Sequence, residues 1–561
     1  MNIIEIILSL LFVMIILVAL ARRIRMPYPI LLVLGGLGIS FLPELPRIEL
    51  SPELVFVLFL PPILQLSAYN TPVRDFRANI RSIGLLSIAL VLTTTVTIAV
   101  VAHFFIGLSW PVAFVLGAIV APPDAAAATS IAENLRLPRR IITVLEGESL
   151  VNDATALVAY RIAIVAVATG AFSLADAGSQ FLLASAGGVV IGLGVGLILT
   201  PVFRRLTDDV PVYLTLTFLS GYGAYLLGES LHASGVVAVV TLGIFYGQPR
   251  FNTMTPDIRL QASAVWEIVV FLINGSIFIL IGLQLPRVME GVSVPPATLL
   301  WYAVLICVTL IVTRIVWVIP GTYLPRMLPG VRERDPFPPF KEVVVVAWTG
   351  MRGIVTLASA LALPNINGTA FPHRDLILFL SFTVILVTLV LQGLSLPVLI
   401  QGLKLVDDGS GEREEHKARL KAAIAGRARL QELIQGEQLS QQLVEKLGRY
   451  YDTRVRRYAG RYHGKLDDEA EKYFISYEQT EQDLLKAELE AIIKLRNEEI
   501  INDEILRKVQ RDLDLQLLRL QNNSLAQPAP VIEESDALLA AIGEESILPV
   551  ESEGQTEVGS S

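Results

Sequence analysis

Apolar runs long enough to cross about 30 Å of hydrocarbon recur from Ile3 to Leu405. Such runs commit the chain to an all-α polytopic membrane protein. Composition agrees, because 53% hydrophobic and only 17% charged residues, with mean hydropathy +0.58, do not describe a soluble domain. The first run, Ile3 to Leu20, carries an acid rather than a basic cluster at its start and no small-residue cleavage site after it. It reads as a span, not as a removable signal peptide.

The pattern gives thirteen spans, at 3–20, 28–43, 51–69, 82–106, 110–131, 140–169, 179–201, 210–228, 232–247, 262–285, 298–320, 341–363 and 374–402. Short cytoplasmic loops collect Lys and Arg, which tests the count. Alternate connections carry Arg22, Arg23, Arg25, then Arg74, Arg77, Arg81, then Arg136, Arg139, Arg140, then Arg204, Arg205, then Arg250, Arg259, then Arg326, Arg332, Arg334 and Lys341. The other set holds Arg47, Arg287 and Arg374. This asymmetry places the N-terminus outside and the C-terminus in the cytoplasm, as an odd number of spans requires. A plasma (inner) membrane is the expected location.

Three parts follow. Residues 1–405 form the transmembrane domain. After Asp407-Asp408-Gly409-Ser410-Gly411 the chain becomes rich in Glu, Lys, Arg and Gln, with apolar residues at helical spacing, so 406–525 reads as a cytoplasmic helical region. Residues 526–561 are Pro-, Ser-, Glu- and Gly-rich and read as a disordered tail. The net charge of −8 belongs mostly to these tails, and no nucleic-acid partner is expected. The one cysteine, Cys307, lies in a span and excludes an intrachain disulfide.

Charged groups inside the spans carry the functional signal. Each ionised side chain near a helix centre costs roughly 2.5–3.5 kcal/mol on insertion scales, so Asp124, Glu148 and Asp153 point to an ion pathway. At about 1.5 Å per residue, Glu148 lies roughly 10 Å and Asp153 roughly 18 Å into the sixth span, Asp124 roughly 21 Å into the fifth and Arg352 roughly 16 Å into the twelfth. Segments from different directions deliver these groups to one depth.

Two of those segments make poor continuous helices. Pro122 and Pro123 remove two backbone donors, at about 3 kcal/mol or more for an interior proline, so Val120 to Asp124 is expected to unwind. Gly350 and Gly353 flank Met351-Arg352 and permit the same in the twelfth span. Broken helices in corresponding positions point to inverted repeats, here spans 1–6 and 8–13. Ser149 and Asp153 are i and i+4, and Glu148 and Asn152 form the adjacent i, i+4 pair. Carboxylate, hydroxyl, amide and carbonyl oxygens suit a hard cation, and no Cys or His nearby suggests a transition metal or other cofactor.

Pro122-Pro123-Asp124-Ala125 followed by Gly147-Glu148-Ser149-Leu150-Val151-Asn152-Asp153-Ala154 resembles the signature of the cation:proton antiporter 1 family, the sodium/proton exchangers of NhaP and NHE type. Trp348-Thr349-Gly350-Met351-Arg352-Gly353 resembles that family's basic motif. The resemblance implies an NhaA-like fold of crossed broken helices and a homodimer. It also implies secondary transport of Na+, with Li+ or K+ as alternatives, against H+, at Asp153, Asp124, Ser149 and Asn152. With Asn152 in place of a first aspartate it implies one-for-one electroneutral exchange, and it implies an ion pair between Glu148 and Arg352. Pro123 stands where the family often has Thr, and on the third span Pro61-Pro62 is followed by Ile63-Leu64-Gln65-Leu66, without the acid sometimes seen there in the family. The competing readings are a cation channel, which needs no proton counterflux, and a membrane sensor with its output after Asp407. Arg161 and Arg314, also within spans, read as structural charges.

Overall fold

In the computed structural model, the described residues run from 3 to 522, apart from 25, 42–54, 125–127, 130–136, 171–173, 249–250, 252, 293, 334, 367–368, 406–408, 436–438, 464–467 and 499. The tail expected at 526–561 lies outside the described residues. The chain divides into two compact units, Met1–Asp407 and Asp408–Ser561.

Among the described residues of the first unit, eight helices are long and apolar enough to cross a membrane. These are α1 (Ile3–Ile24), α4 (Ile80–Ile106), α6 (Arg139–Thr169), α7 (Leu174–Arg205), α8 (Val210–Ser230), α10 (Pro256–Glu290), α11 (Pro296–Tyr323) and α14 (Arg374–Leu403). Four shorter apolar helices stand between them: α2 (Tyr28–Ser40), α3 (Leu60–Asn70), α5 (Trp110–Val120) and α9 (Gly235–Gly247). Span 12 is two short helices, α12 (Phe340–Trp348) and α13 (Ile354–Leu361).

Local chemistry sets the ends. Proline occupies the first turn of α2, α5, α8, α10 and α11, where its missing N–H would have no helical partner anyway. Asp209, Ser234 and Thr255 cap α8, α9 and α10 by accepting from Val212 N (3.2 Å), Val237 N (3.3 Å) and Ile258 N (3.4 Å). α4 is not uniformly α-helical: π-helical turns at Leu85–Leu90 and Ala102–Ile106 interrupt it.

The helices pack as two groups. α4, α5, α6, α11, α12, α13 and α14 surround the interrupted segments, while α2 packs on α10, and α3 and α7 pack on α9. Apolar side chains such as Phe12, Leu183, Ile198 and Leu300 are exposed on outward faces, as a lipid solvent requires. Glycines recur in α7 at 192, 194 and 196, a small-residue pattern that allows close helix packing. A Cβ on Gly192 would lie 2.4 Å from Ala238 O, and one on Gly196 2.7 Å from Phe245, whereas Gly194 faces open space. Its place in the row is taken by Gly188, one turn before Gly192.

In the second unit, α15 (Ser410–Gln435) packs on α16 (Gln441–His463) through Leu420, Ala423, Val455, Tyr458 and Ala459. α17 (Asp468–Asn497) packs on α18 (Asp503–Asn522) through Leu485, Leu513 and Leu520.

Candidate functional site

The first helical part of span 5 ends at Val120, and Ala121 to Asp124 is unwound, as the two prolines require. In span 12, Thr349 to Gly353 is unwound between α12 and α13. The two interruptions touch: Asp124 N donates to Met351 O at 2.7 Å. The contact leaves no room for a side chain at Gly353, where a Cβ would lie 1.9 Å from Asp124 Oδ2. The same carboxylate oxygen lies 3.4 Å from Ile354 N, the first residue of α13, where a helix N-terminus favours negative charge.

Arg352 is buried and turned to the ends of helices. Its Nε donates to Val120 O (3.0 Å), Nη2 to Ala121 O (3.1 Å) and Nη1 to Gly350 O. A guanidinium thus caps carbonyls at the C-terminal ends of α5 and α12, where positive charge is favoured. Its backbone is fixed as well, since Arg352 N donates to Thr388 Oγ1 at 3.1 Å.

The ion pair expected between Glu148 and Arg352 is not formed. Glu148 pairs with Arg314 of α11 in a two-pronged contact, Nη1 to Oε1 at 2.6 Å and Nη2 to Oε2 at 2.9 Å, with both side chains 2% exposed. Arg314 also donates to Val346 O in the last turn of α12. The reason is helix rotation. Glu148 leaves α6 on the side of α11, while Arg352 is consumed by carbonyls that would otherwise be uncapped in an apolar interior, at several kcal/mol each. Among the described residues, no carboxylate lies within ion-pair distance of Arg352.

A cavity of about 810 Å³ reaches the crossing. From α6 it is lined by Glu146, Ser149, Leu150 and Asp153, positions i, i+3, i+4 and i+7 on one helical face. Asp124 and Gly353 to Thr356 line it from the crossing, and exposed Arg259, Ser263 and Glu267 of α10 line its mouth. Asp124, Ser149 and Asp153 therefore share one space, and carboxylate and hydroxyl oxygens fit a hard cation. Asn152, expected beside Asp153, does not line the cavity. It is fully buried and donates from Nδ2 to Pro123 O at 2.7 Å, holding the unwound strand.

Beyond Asp153 by about 12 Å along α6, Arg161 pairs with Glu229 of α8 at 2.6 Å. Glu229 also accepts from Gly235 N at 3.2 Å. Both residues line a separate small cavity of about 130 Å³. Glu267, Asn274 and Glu229 were not singled out from the sequence. For Glu267 and Asn274 the signal was present as isolated polar side chains in an otherwise apolar span, two helical turns apart on one face, whereas Glu229 lies one residue past the span read at 210–228.

Residues 7–402 match the family model described as sodium/hydrogen exchanger, transmembrane. An uncharacterized Na+/H+ exchanger of Mycobacterium tuberculosis is 36% identical over 513 residues, 89% of this chain and 93% of that protein. The sodium, potassium, lithium and rubidium/H+ antiporter of Bacillus subtilis is 33% identical over 392 residues, 67% of this chain and 58% of that protein. The solved sodium proton antiporter MjNhaP1 of Methanocaldococcus jannaschii matches with TM-score 0.57 at 20% identity, over 71% of this chain and 98% of that one. That likeness is one of fold. The chain belongs to the transmembrane sodium/hydrogen exchanger family, whose members are secondary transporters rather than enzymes.

Proposed function

We propose that the chain exchanges a monovalent cation, Na+ foremost and Li+ with it, for H+ by competition at Asp153, with Asp124 and Ser149 as cation ligands. One observation carries the reading: the two aspartates and the serine share a single cavity at the crossing of two interrupted helices. Asp124 lies against the N-terminus of α13, so its charge is compensated in place. Asp153 is then the group whose charge alternates, and one proton or one monovalent cation satisfies it. Exchange is accordingly electroneutral and one for one.

The cavity mouth lies on the side of Glu146, Arg259 and Glu267, the face that the distribution of Lys and Arg assigns to the cytoplasm. The opposite side carries the Arg161–Glu229 pair. Access alternates as the group holding α6 and the crossing moves against the group holding α8 and α10. Counting the eight long helices, the four shorter ones and the interrupted span as thirteen crossings in two inverted repeats gives an outside N-terminus and a cytoplasmic C-terminus, and the assembly is a homodimer in the plasma membrane.

A broader specificity that includes K+ is the second reading, because the Bacillus subtilis relative carries potassium in its name. Purified protein in proteoliposomes with an imposed pH gradient separates them. Na+ and Li+ should collapse the gradient without generating a membrane potential. Equal collapse by K+ selects the second reading, and cation flux without proton counterflux makes the protein a channel.

The region after Asp407 is regulatory in this reading, because its charged helices contain no apolar run of spanning length. Truncation after about residue 406 should preserve selectivity and stoichiometry while changing rate or pH activation. Altered stoichiometry in a normally inserted truncated protein would place the region in the mechanism itself.

A further inference from the structure

We infer that Thr356 is a further cation ligand that sets the order of preference among monovalent cations, an inference that rests on the site proposed at Asp124 and Asp153. Many threonines inside the helices of this protein spend their hydroxyls locally. Thr93, Thr95, Thr97, Thr200, Thr313 and Thr383 each donate to the carbonyl four residues back, at 2.7–2.9 Å. Thr356 has no such outlet. The residue four before it is Arg352, which lies in the unwound segment, so no helical carbonyl stands in the usual place. Its hydroxyl is buried, has no hydrogen-bond partner, and belongs to a residue only 1% exposed.

Position makes this hydroxyl useful. Thr356 lies two residues after Ile354, whose N–H meets Asp124 Oδ2, and it lines the same cavity as Asp124, Ser149 and Asp153. An apolar residue of equal shape would fill the space without leaving a buried polar atom unsatisfied, a state that costs free energy unless something pairs with it. A partly dehydrated monovalent cation held by Asp124 and Asp153 is such a partner. A neutral oxygen adds to its shell without adding charge, so Thr356 alters how well ions of different radius are held and leaves the one-for-one coupling to the carboxylates. It comes from the first turn of α13, so the cation would be held by both interrupted spans and by α6 together.

The test compares Thr356→Val, which keeps the shape and removes the hydroxyl, with Thr356→Ser, which keeps the hydroxyl. Both are reconstituted as full-length protein beside Asp153→Asn, and pH-gradient collapse is titrated with Li+, Na+ and K+. Thr356→Val should raise the apparent KM for the preferred cation about tenfold, the loss of one contact to a charged group, with rate at saturating cation retained and the ratio among Li+, Na+ and K+ changed. Thr356→Ser should keep the wild-type order. An unchanged order in Thr356→Val, or an equal defect in Thr356→Ser, overturns the inference, since packing would then account for the residue. Should Thr356→Val fold poorly, Thr356→Ser still tests it, together with Thr356→Ala and the thermal stabilisation of each variant by added Li+ or Na+. Activity in Asp153→Asn would instead sink the parent site, whatever Thr356 does.

Discussion

The two interrupted spans solve the same problem with opposite chemistry. Both open a helix in an apolar interior, where free carbonyls cost several kcal/mol each. In the first, Pro122 and Pro123 break the helix from within, and side chains from elsewhere take up its carbonyls: Arg352 at Val120 and Ala121, Asn152 at Pro123. In the second there is no proline. Glycines open the chain, and its own Thr349 and Arg352 take up the carbonyls of Val345, Val346 and Gly350, with Arg314 adding to Val346 O and Asp124 N to Met351 O. The first break therefore presents its charge, Asp124, to the cavity, and the second turns its charge, Arg352, into the framework. Similar intramembrane charges at similar depth have different work because one is already spent on the backbone.

The comparison breaks most readily at the pair that the crossing leaves out. Glu148→Ala should cost about 3–5 kcal/mol of stability by leaving Arg314 buried and unpaired. A double-mutant cycle on thermal unfolding in detergent should find strong coupling between Glu148 and Arg314. Coupling between Glu148 and Arg352 should be clearly smaller than that between Glu148 and Arg314. The reverse pattern would restore the simpler pairing of the two motif residues.

Gly353→Ala comes next. Its new methyl meets the Asp124 carboxylate, and overpacking of this kind costs typically 1–3 kcal/mol. A rise in apparent KM for Na+ should accompany the stability loss, because the displaced group is a proposed ligand. Normal KM in the folded variant would separate Asp124 from the site. The smallest effect on exchange is expected for Asn152→Ala, although leaving Pro123 O unpaired should cost about 1–3 kcal/mol of stability. Exchange should persist with unchanged stoichiometry in titrations of pH-gradient collapse, and its abolition would return Asn152 to the binding group.

How much of this was legible in the sequence follows from what each feature depends on. The break at Pro122-Pro123 depends only on local chain chemistry, and the common face of Ser149 and Asp153 only on helical period. Both could be read directly. The partner of Glu148 depends on how α6, α11 and α12 rotate against one another. Arg314 read as a structural charge, and the motif resemblance pointed to Arg352 instead. The direction of Asn152 depends on the same rotation, since adjacent residues on a helix point about 100° apart and of Asn152 and Asp153 only Asp153 lines the cavity. Glu267, Asn274 and Thr356 carry weak local signals that acquire meaning only when α10 and α13 enclose the same space.

The central claim is that the carboxylate of Asp153 holds proton and cation in turn. Its most direct test is Asp153→Asn, reconstituted at wild-type levels and assayed by pH-gradient collapse and by isotopic Na+ uptake across a range of pH. In the wild type, raising the pH should lower the apparent KM for Na+, because a competing proton is removed. In Asp153→Asn, exchange should be absent at every pH and with every cation, while the protein remains folded. Near-normal exchange by that variant, with the same competition between Na+ and H+, would contradict the account.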